Sequence, residues 1–350
     1  MNKKVIIAIL VISAALTAGF VIFGIVGYAT AGTIEKSYQF SYTNSSIFGL
    51  EDIDIDFDLA KVDINYNSTP MDAYMEANLS VLIEGLFMEG KSFANFFSEP
   101  ITANNSADKN IQFLMKQDQW FDPSTWFSTK IVTLHILLRT DVEYNIDVDV
   151  SVGDLSVNVP ENVSVGALEL LTSTGSISAD LSENSTVNTI ELITSTGNIG
   201  FKSQYINHTG SIRFETATGN IDSTISNGII DGNIRILTST GNSLLRFYNL
   251  TYEANNVWDI DGSTGNIDIH IQQYDNMNAN VSGSAITSTG NVYVYYQDWS
   301  NSVGVRLDGT TSTGSAEDYT SSDFATATFH YDLALTTSTG NVNIDHTDQT

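Results

Sequence analysis

The chain has 350 residues, no cysteine, and 14 Lys plus Arg against 41 Asp plus Glu, a formal net charge of −27. That shortage of cations argues against nucleic acid and anionic lipid headgroups as ligands, because both are held by basic footprints. Without thiols there is no disulfide, no cysteine nucleophile and no thiolate metal site.

The N-terminus reads Met-Asn-Lys-Lys and then runs apolar from Val5 to Ala31. A helix over 5–31 would be about 40 Å long at 1.5 Å per residue, enough to cross a bilayer core of about 30 Å. The expectation is a single-pass anchor: 1–4 as a cytoplasmic tail held inside by Lys3 and Lys4, and an extracellular ectodomain after it. Ala29-Thr30-Ala31 also fits the small-x-small pattern of a cleaved signal peptide, so that alternative stays open.

Residues 33–150 are strand-like and are expected to form a β-rich membrane-proximal cap. In EDIDIDFDL, Asp52, Asp54, Asp56 and Asp58 alternate with Ile53, Ile55, Phe57 and Leu59, a half-buried strand with an acidic outer face. With Asp147 and Asp149 these carboxylates are weak candidates for Ca²⁺, although residues two apart on a strand stand about 7 Å from one another. Phe87 to Phe97 predicts a short amphipathic helix or lid stopped by Pro100. Gly85-Leu-Phe-Met-Glu-Gly-Lys-Ser92 matches the phosphate-loop spacing, but Glu89 would put a carboxylate beside the phosphates, and no nucleotide or other cofactor is expected.

From 151 to 350 one phrase, T-S-T-G-N or a close variant, recurs eight times. Its glycines are Gly175, Gly197, Gly219, Gly241, Gly265, Gly290, Gly314 and Gly340, at intervals of 22, 22, 22, 24, 25, 24 and 26 residues. Before each phrase the apolar residues alternate (Leu168 and Leu170, Ile190 and Leu192, Ile212 and Phe214), and they resume two residues after the glycine (Ile177, Ile199, Ile221). Period two on both sides of a glycine predicts strand, corner, strand; a repeat in the twenties predicts stacked coils. The expected fold is all-β, a parallel β-solenoid of about 8–9 coils, with Gly153 as a degenerate lead-in coil. By parity, the first Thr of each phrase (Thr172, Thr194, Thr216) turns inward, where stacked hydroxyls would bond one another; Ser173 and its equivalents face water. That parity argues against an ice-binding face.

On the strength of LELLTSTGSISADL, IELITSTGNIGF and the lead-in VSVGDLSVNVPENVSVGALEL, this region resembles the putative adhesin family of bacterial and archaeal envelope proteins. The resemblance implies a parallel β-solenoid and a surface role, and it brings no binding residues with it.

Other candidate sites are sparse. Tyr293, Tyr295 and Trp299 put aromatic rings on the outward parity of one coil and are candidate ligand contacts. Nine sequons, at Asn44, Asn67, Asn78, Asn104, Asn162, Asn184, Asn207, Asn249 and Asn280, are candidates for N-glycosylation. No His pair has ligand spacing and no G-x-S-x-G elbow occurs, so no enzyme is expected. The final copy of the phrase has no cap after it. Its strand, with Asn343, Asp345 and His346 as polar gatekeepers, is a candidate edge for self-association. The expected function is a non-catalytic, membrane-anchored surface protein, either an adhesin or an envelope structural protein. The alternative is an envelope-associated sensor or accessory protein binding a polysaccharide or a partner protein.

Overall fold

The computed structural model describes residues 17, 20–22, 24–43, 50–67, 72–104, 108–114, 123–274, 277–298 and 303–348. The chain is all-β, with a solenoid of about eight turns. A 12-stranded sheet and a 16-stranded sheet face each other. Three two-residue strands (Asn207–His208, Ile229–Ile230, Thr251–Tyr252) line a narrower third side. Among the described residues no helix is long and apolar enough to cross a membrane. The expected span over 5–31 lies mostly outside them, and 24–29 are helical.

Each repeat of the phrase is one rung. Ser164–Thr174 pairs in parallel with Thr186–Thr196, so that Leu168 stacks on Ile190, Leu170 on Leu192 and Thr172 on Thr194. After the corner, Ile177–Leu181 pairs with Ile199–Gln204 in the opposite sheet. The alternating apolar residues turn inward and form one continuous core. Size is balanced between rungs: fully buried Trp258 lies beside Gly283, where a Cβ would come within 2.0 Å of the Trp258 carbonyl oxygen.

Three interactions hold the corner. Gly175 has φ 151°, open only to glycine, and a Cβ there would stand 1.9 Å from the Gly153 carbonyl oxygen; the later corners repeat this geometry. The inward Thr does not bond its counterpart on the next rung, as its parity alone suggested. Its hydroxyl donates to the corner glycine carbonyl of the neighbouring rung: Thr194 to Gly175 at 2.9 Å, Thr216 to Gly197 at 3.0 Å, Thr337 to Gly290 at 2.8 Å. Those carbonyls are turned out of the strand ladder, and the hydroxyl is the nearest donor that can satisfy them. The residue after the glycine builds a second ladder. Asn198 Oδ1 accepts from the Asn220 amide, Asn220 Oδ1 from Asn242, and Asn242 Oδ1 from Asn266, each at 2.9 Å. Asp154 starts this ladder and Asn341 ends it on the Ser315 amide.

Residues 33–150 add rungs to the same core. Leu50–Leu59 pairs in parallel with Glu143–Val152, and Lys61–Asn67 with Leu155–Val159, so 50–67 is a complete coil with Ala60 at its corner. This coil lies between Glu143–Val159 and the layer made by Asp108–Phe113 and Ser128–Arg139, which precedes 143 in the chain. A wing of three antiparallel strands, Gly32–Tyr42, Met75–Gly85 and Ser128–Arg139, closes this end of the 12-stranded sheet. The expected helix over 87–97 is only a 3-10 turn, Phe93–Asn95. Its role is packing: Phe93, Phe96 and Phe97 are buried, and the Phe97 ring stacks on Phe113 with centroids 4.8 Å apart.

The far end also departs from chain order. Phe329–Thr339 pairs with Val281–Thr289 on one side and with Val303–Thr313 on the other. The last copy of the phrase is therefore the penultimate rung, and the copy at Gly314 is outermost. Tyr319–Thr320 folds back antiparallel on that outer strand. In the other sheet Val342–Asp348 is the edge, and the segment after Gly314 covers part of it. The Glu317 amide donates to the Val342 carbonyl at 3.2 Å, Glu317 Oε2 accepts from the Ile344 amide at 2.7 Å, and Tyr319 stacks on His346 at 3.9 Å. The end that looks uncapped in the sequence carries this cover.

Candidate functional site

Parallel strands in register turn linear alternation into a lattice, with side chains about 4.8 Å apart along the stack and about 7 Å apart along a strand. The outer face of the 12-stranded sheet carries such a lattice over Ser243–Tyr248, Ile267–Gln273 and Val292–Asp298. Leu244, Asp268 and Tyr293 form one row; Arg246, His270 and Tyr295 the next; Tyr248, Gln272 and Gln297 the third. All nine side chains are half-buried, flanked by their neighbours rather than free in solvent.

Polar contacts fix the patch. Arg246 Nη1 donates to Asp222 Oδ1 at 2.6 Å, which neutralises its charge on the face. The His270 ring lies 5.7 Å from Tyr295, tilted by 40°. Tyr295 Oη donates to Gln297 Oε1 at 3.1 Å, and Gln272 Nε2 donates to the same oxygen at 3.4 Å. Burial, followed by Arg246, holds the His270 imidazole below its ordinary range, and burial lifts the Asp268 carboxyl above its own. Burial, with Asp345 nearby, raises the Tyr293 phenol. The result is a surface of rings and amides that also carries the Asp268 carboxylate and one guanidinium, Arg246, paired to Asp222.

Tyr293 and Tyr295 thus stand on the outward side that their parity predicted, and Trp299 lies outside the described residues. Alternation alone does not reveal that Tyr248, His270 and Gln272 join them. Those three lie upstream of Tyr295 on earlier rungs and meet it only through the register of the stack.

The outer face of the 16-stranded sheet is different. Asp54 stacks on Asp147 and Asp56 on Asp149, and Glu169 and Glu191 continue the first row until Arg213 ends it. Arg213 reaches Glu191 at 2.6 Å and Glu215 at 2.5 Å. The structure therefore brings together the two acidic combs read from the sequence, around a shallow pocket lined by Asp54, Asp56, Asp147, Asp149 and Glu169. Burial first, and neighbouring carboxylates second, raise Asp56 and Asp147 above the ordinary range. Asp52 accepts from Asn145 Nδ2 at 2.6 Å. Among the described residues no group of three His, Asp or Glu side chains is arranged to hold a metal ion.

The loop from Gly85 to Ser92 ends a strand and leads into the three-residue 3-10 turn, with the Ser92 amide donating to Asn95 Oδ1 at 2.8 Å. It has no following helix to offer amides to a phosphate. Of the sequon asparagines, Asn78, Asn162, Asn184 and Asn280 are exposed, and Asn67, Asn207 and Asn249 are half-buried. Asn44 and the Asn104 side chain lie outside the described residues. Asn162, Asn184 and Asn249 have left-handed backbones, φ 62°, 57° and 51°, and form a second corner with Asn227. This is a regular feature that the T-S-T-G-N signal overshadows.

No family profile matches the chain, and no curated protein matches it. Several solved structures are similar. One is a putative lipid binding protein from Parabacteroides distasonis (13% identity, TM-score 0.40, covering 89% of this chain and 96% of that one). Another is a putative adhesin from Bacteroides fragilis (9%, TM-score 0.33, 89% and 97%). A third is a putative cell adhesion protein from Clostridium sporogenes (12%, TM-score 0.24, 89% and 100%).

Proposed function

We propose that this is a non-catalytic surface protein of the adhesin type, anchored through residues 5–31 with its N-terminus in the cytoplasm, that presents a rigid prism outside the cell. The observation that carries the reading is the aromatic and amide lattice around Tyr295. Tyr295, Gln297 and Gln272 are fixed by their own hydrogen bonds, so a partner bound there loses little to ordering of the site. Rings that stack and amides that donate and accept suit a neutral polysaccharide or a polar protein surface. Exposed sequons such as Asn78 are open to glycan attachment, and self-association through the far end is a further proposal. The acidic face keeps nucleic acid away.

Binding of the full chain in nanodiscs to an array of neutral and anionic glycans and to envelope protein fractions tests this. A selective partner whose affinity falls about tenfold in Tyr295→Ala, or about 1.4 kcal/mol, supports the lattice as the contact. An unchanged affinity in Tyr295→Ala and Tyr293→Ala removes that face from the proposal. The alternative, an accessory protein that binds polysaccharide without joining cells, is favoured if the glycan binds but cells expressing the chain do not aggregate.

A further inference from the structure

The three wing strands overhang the prism. Lys61 pairs with Thr133 and Ser80 pairs with Thr133, so 128–132 and 81–85 run past the corner side of the neighbouring coil. Five residues at about 3.4 Å make this overhang about 17 Å. At its tip Gly32, Gly85 and Ser128 lie side by side. The helical turn 24–29 joins the tip directly. The Met88 amide donates to the Thr30 carbonyl at 2.7 Å, and a Cβ on Gly27 would lie 2.8 Å from the Phe87 ring. Phe87 adopts φ 60°, a conformation that costs an aromatic L-residue and that holds its ring 6.1 Å from Phe127. The Leu86 amide donates to the Phe127 carbonyl at 3.0 Å, locking the two loops together. Apolar rings are nonetheless left in solvent here: Tyr28 is 82% exposed, Trp126 58% and Phe127 45%.

Trp, Tyr and Phe grouped where an apolar helix leaves a bilayer match the interfacial belt of membrane proteins. We infer that the wing tip, through Trp126, Phe127 and Tyr28, is a second membrane contact seated in the headgroup layer, and that it lays the prism along the bilayer instead of standing it upright. The inference rests on the proposal that 5–31 is an anchor. Its geometry follows from the strands. The wing strands point their tip at the bilayer, and rungs stack at right angles to their strands. The stacking direction therefore runs along the membrane, with the glycine corners on the side facing it. Continuity with the apolar segment 5–31 is what selects a lipid surface over another protein as the occupant.

The full chain is reconstituted into phosphatidylcholine vesicles and first tested for co-flotation. Failure to float overturns the anchor and this inference with it. For chains that float, tryptophan emission is read with lipids brominated near the headgroup. Quenching that is largely lost in Trp126→Ser, with the melting curve unchanged, supports the contact; equal quenching in both proteins overturns it while leaving the anchor intact. Because the chain has no cysteine, single labels at Ser173→Cys and Ser312→Cys report orientation by energy transfer to a lipid-phase acceptor. Their corners, Gly175 and Gly314, are about seven rungs apart, about 34 Å along the stack. Similar transfer from both supports a prism that lies along the membrane. A steep fall at Ser312→Cys means an upright prism and overturns the inference.

Discussion

The middle of the prism and its two ends are built from the same strands but obey different rules. Between Ser164 and Gln273 spatial order follows chain order, and the corner glycine and the residue after it recur from rung to rung. At the ends that order breaks: 50–67 sits between 143–159 and the layer of 108–113 and 128–139, and 329–339 is inserted between 281–289 and 303–313, which follow one another in the chain. The difference is one of information. A middle rung is specified by contacts with segments about one repeat away, whereas an end rung must find partners across longer loops and must also present a surface that stops the stack. Open strand edges invite further pairing. A rung held from both sides, with a short antiparallel strand or a covering segment outside it, leaves little edge to extend.

The largest expected effect belongs to the middle. Gly219→Ala would place a Cβ 1.8 Å from the Gly197 carbonyl oxygen at φ 150°. It should cost about 3 kcal/mol or more in chemical denaturation, within the range of severe backbone and packing defects. The coil near the end, whose corner is already Ala60, should tolerate Ala60→Gly with a loss of about 1 kcal/mol or less. Equal losses at both sites would erase the distinction between middle and end. Next in size is truncation after Thr328. An inserted rung supports the strand beyond it, so Val303–Thr313 should lose its hydrogen-exchange protection in the truncated chain. If the last copy were simply the last rung, that protection would persist.

Smaller effects separate the ladders. Thr194→Val removes the donor to the Gly175 carbonyl, and Asn220→Ala removes the acceptor for the Asn242 amide. Each should destabilise by about 1 kcal/mol, the usual net value of one hydrogen bond. The smallest effect is electrostatic. Asp56 has its carboxyl raised above the ordinary value of 3.8 by burial and then by Asp149, Asp58 and Asp54. Its charged form is disfavoured in the fold, so the penalty is present above the folded pKa and fades as pH falls toward the unfolded value. Asp56→Asn should therefore stabilise the protein at pH 7 by about 0.5 kcal/mol, reduced by solvent screening, and by nothing measurable near pH 3, below the unfolded value. Denaturation midpoints at the two pH values check the sign.

Much of the middle was legible in the sequence. Leu168, Leu170 and Ile177 with their counterparts give the strands, Gly175 the corner, and the parity of Thr172 its inward turn. What that Thr bonds to was not legible, because the partner carbonyl belongs to another rung and is exposed to it only by the left-handed glycine. The ends were hidden for a related reason: nothing in Phe329–Thr339 says that it also pairs with Val281–Thr289 and so parts that strand from Val303–Thr313, since every copy of the phrase offers the same edge. The site lattice was half legible. Tyr293 and Tyr295 declare themselves by alternation, but His270 and Gln272 join them only once the register is fixed.

The rung order at the far end can be read directly by paired cysteines in this cysteine-free chain. Adjacent parallel strands are about 4.8 Å apart, within disulfide reach, and second neighbours at about 9.6 Å are not. Ser284 stacks on Ala334, and Ala334 on Asp308. Under mild oxidation the double variant Ser284→Cys with Ala334→Cys should form an intramolecular bond, and Ser284→Cys with Asp308→Cys should stay reduced. The reverse pattern would mean that rungs follow chain order to the end, contradicting the inserted rung and the self-covered end built on it.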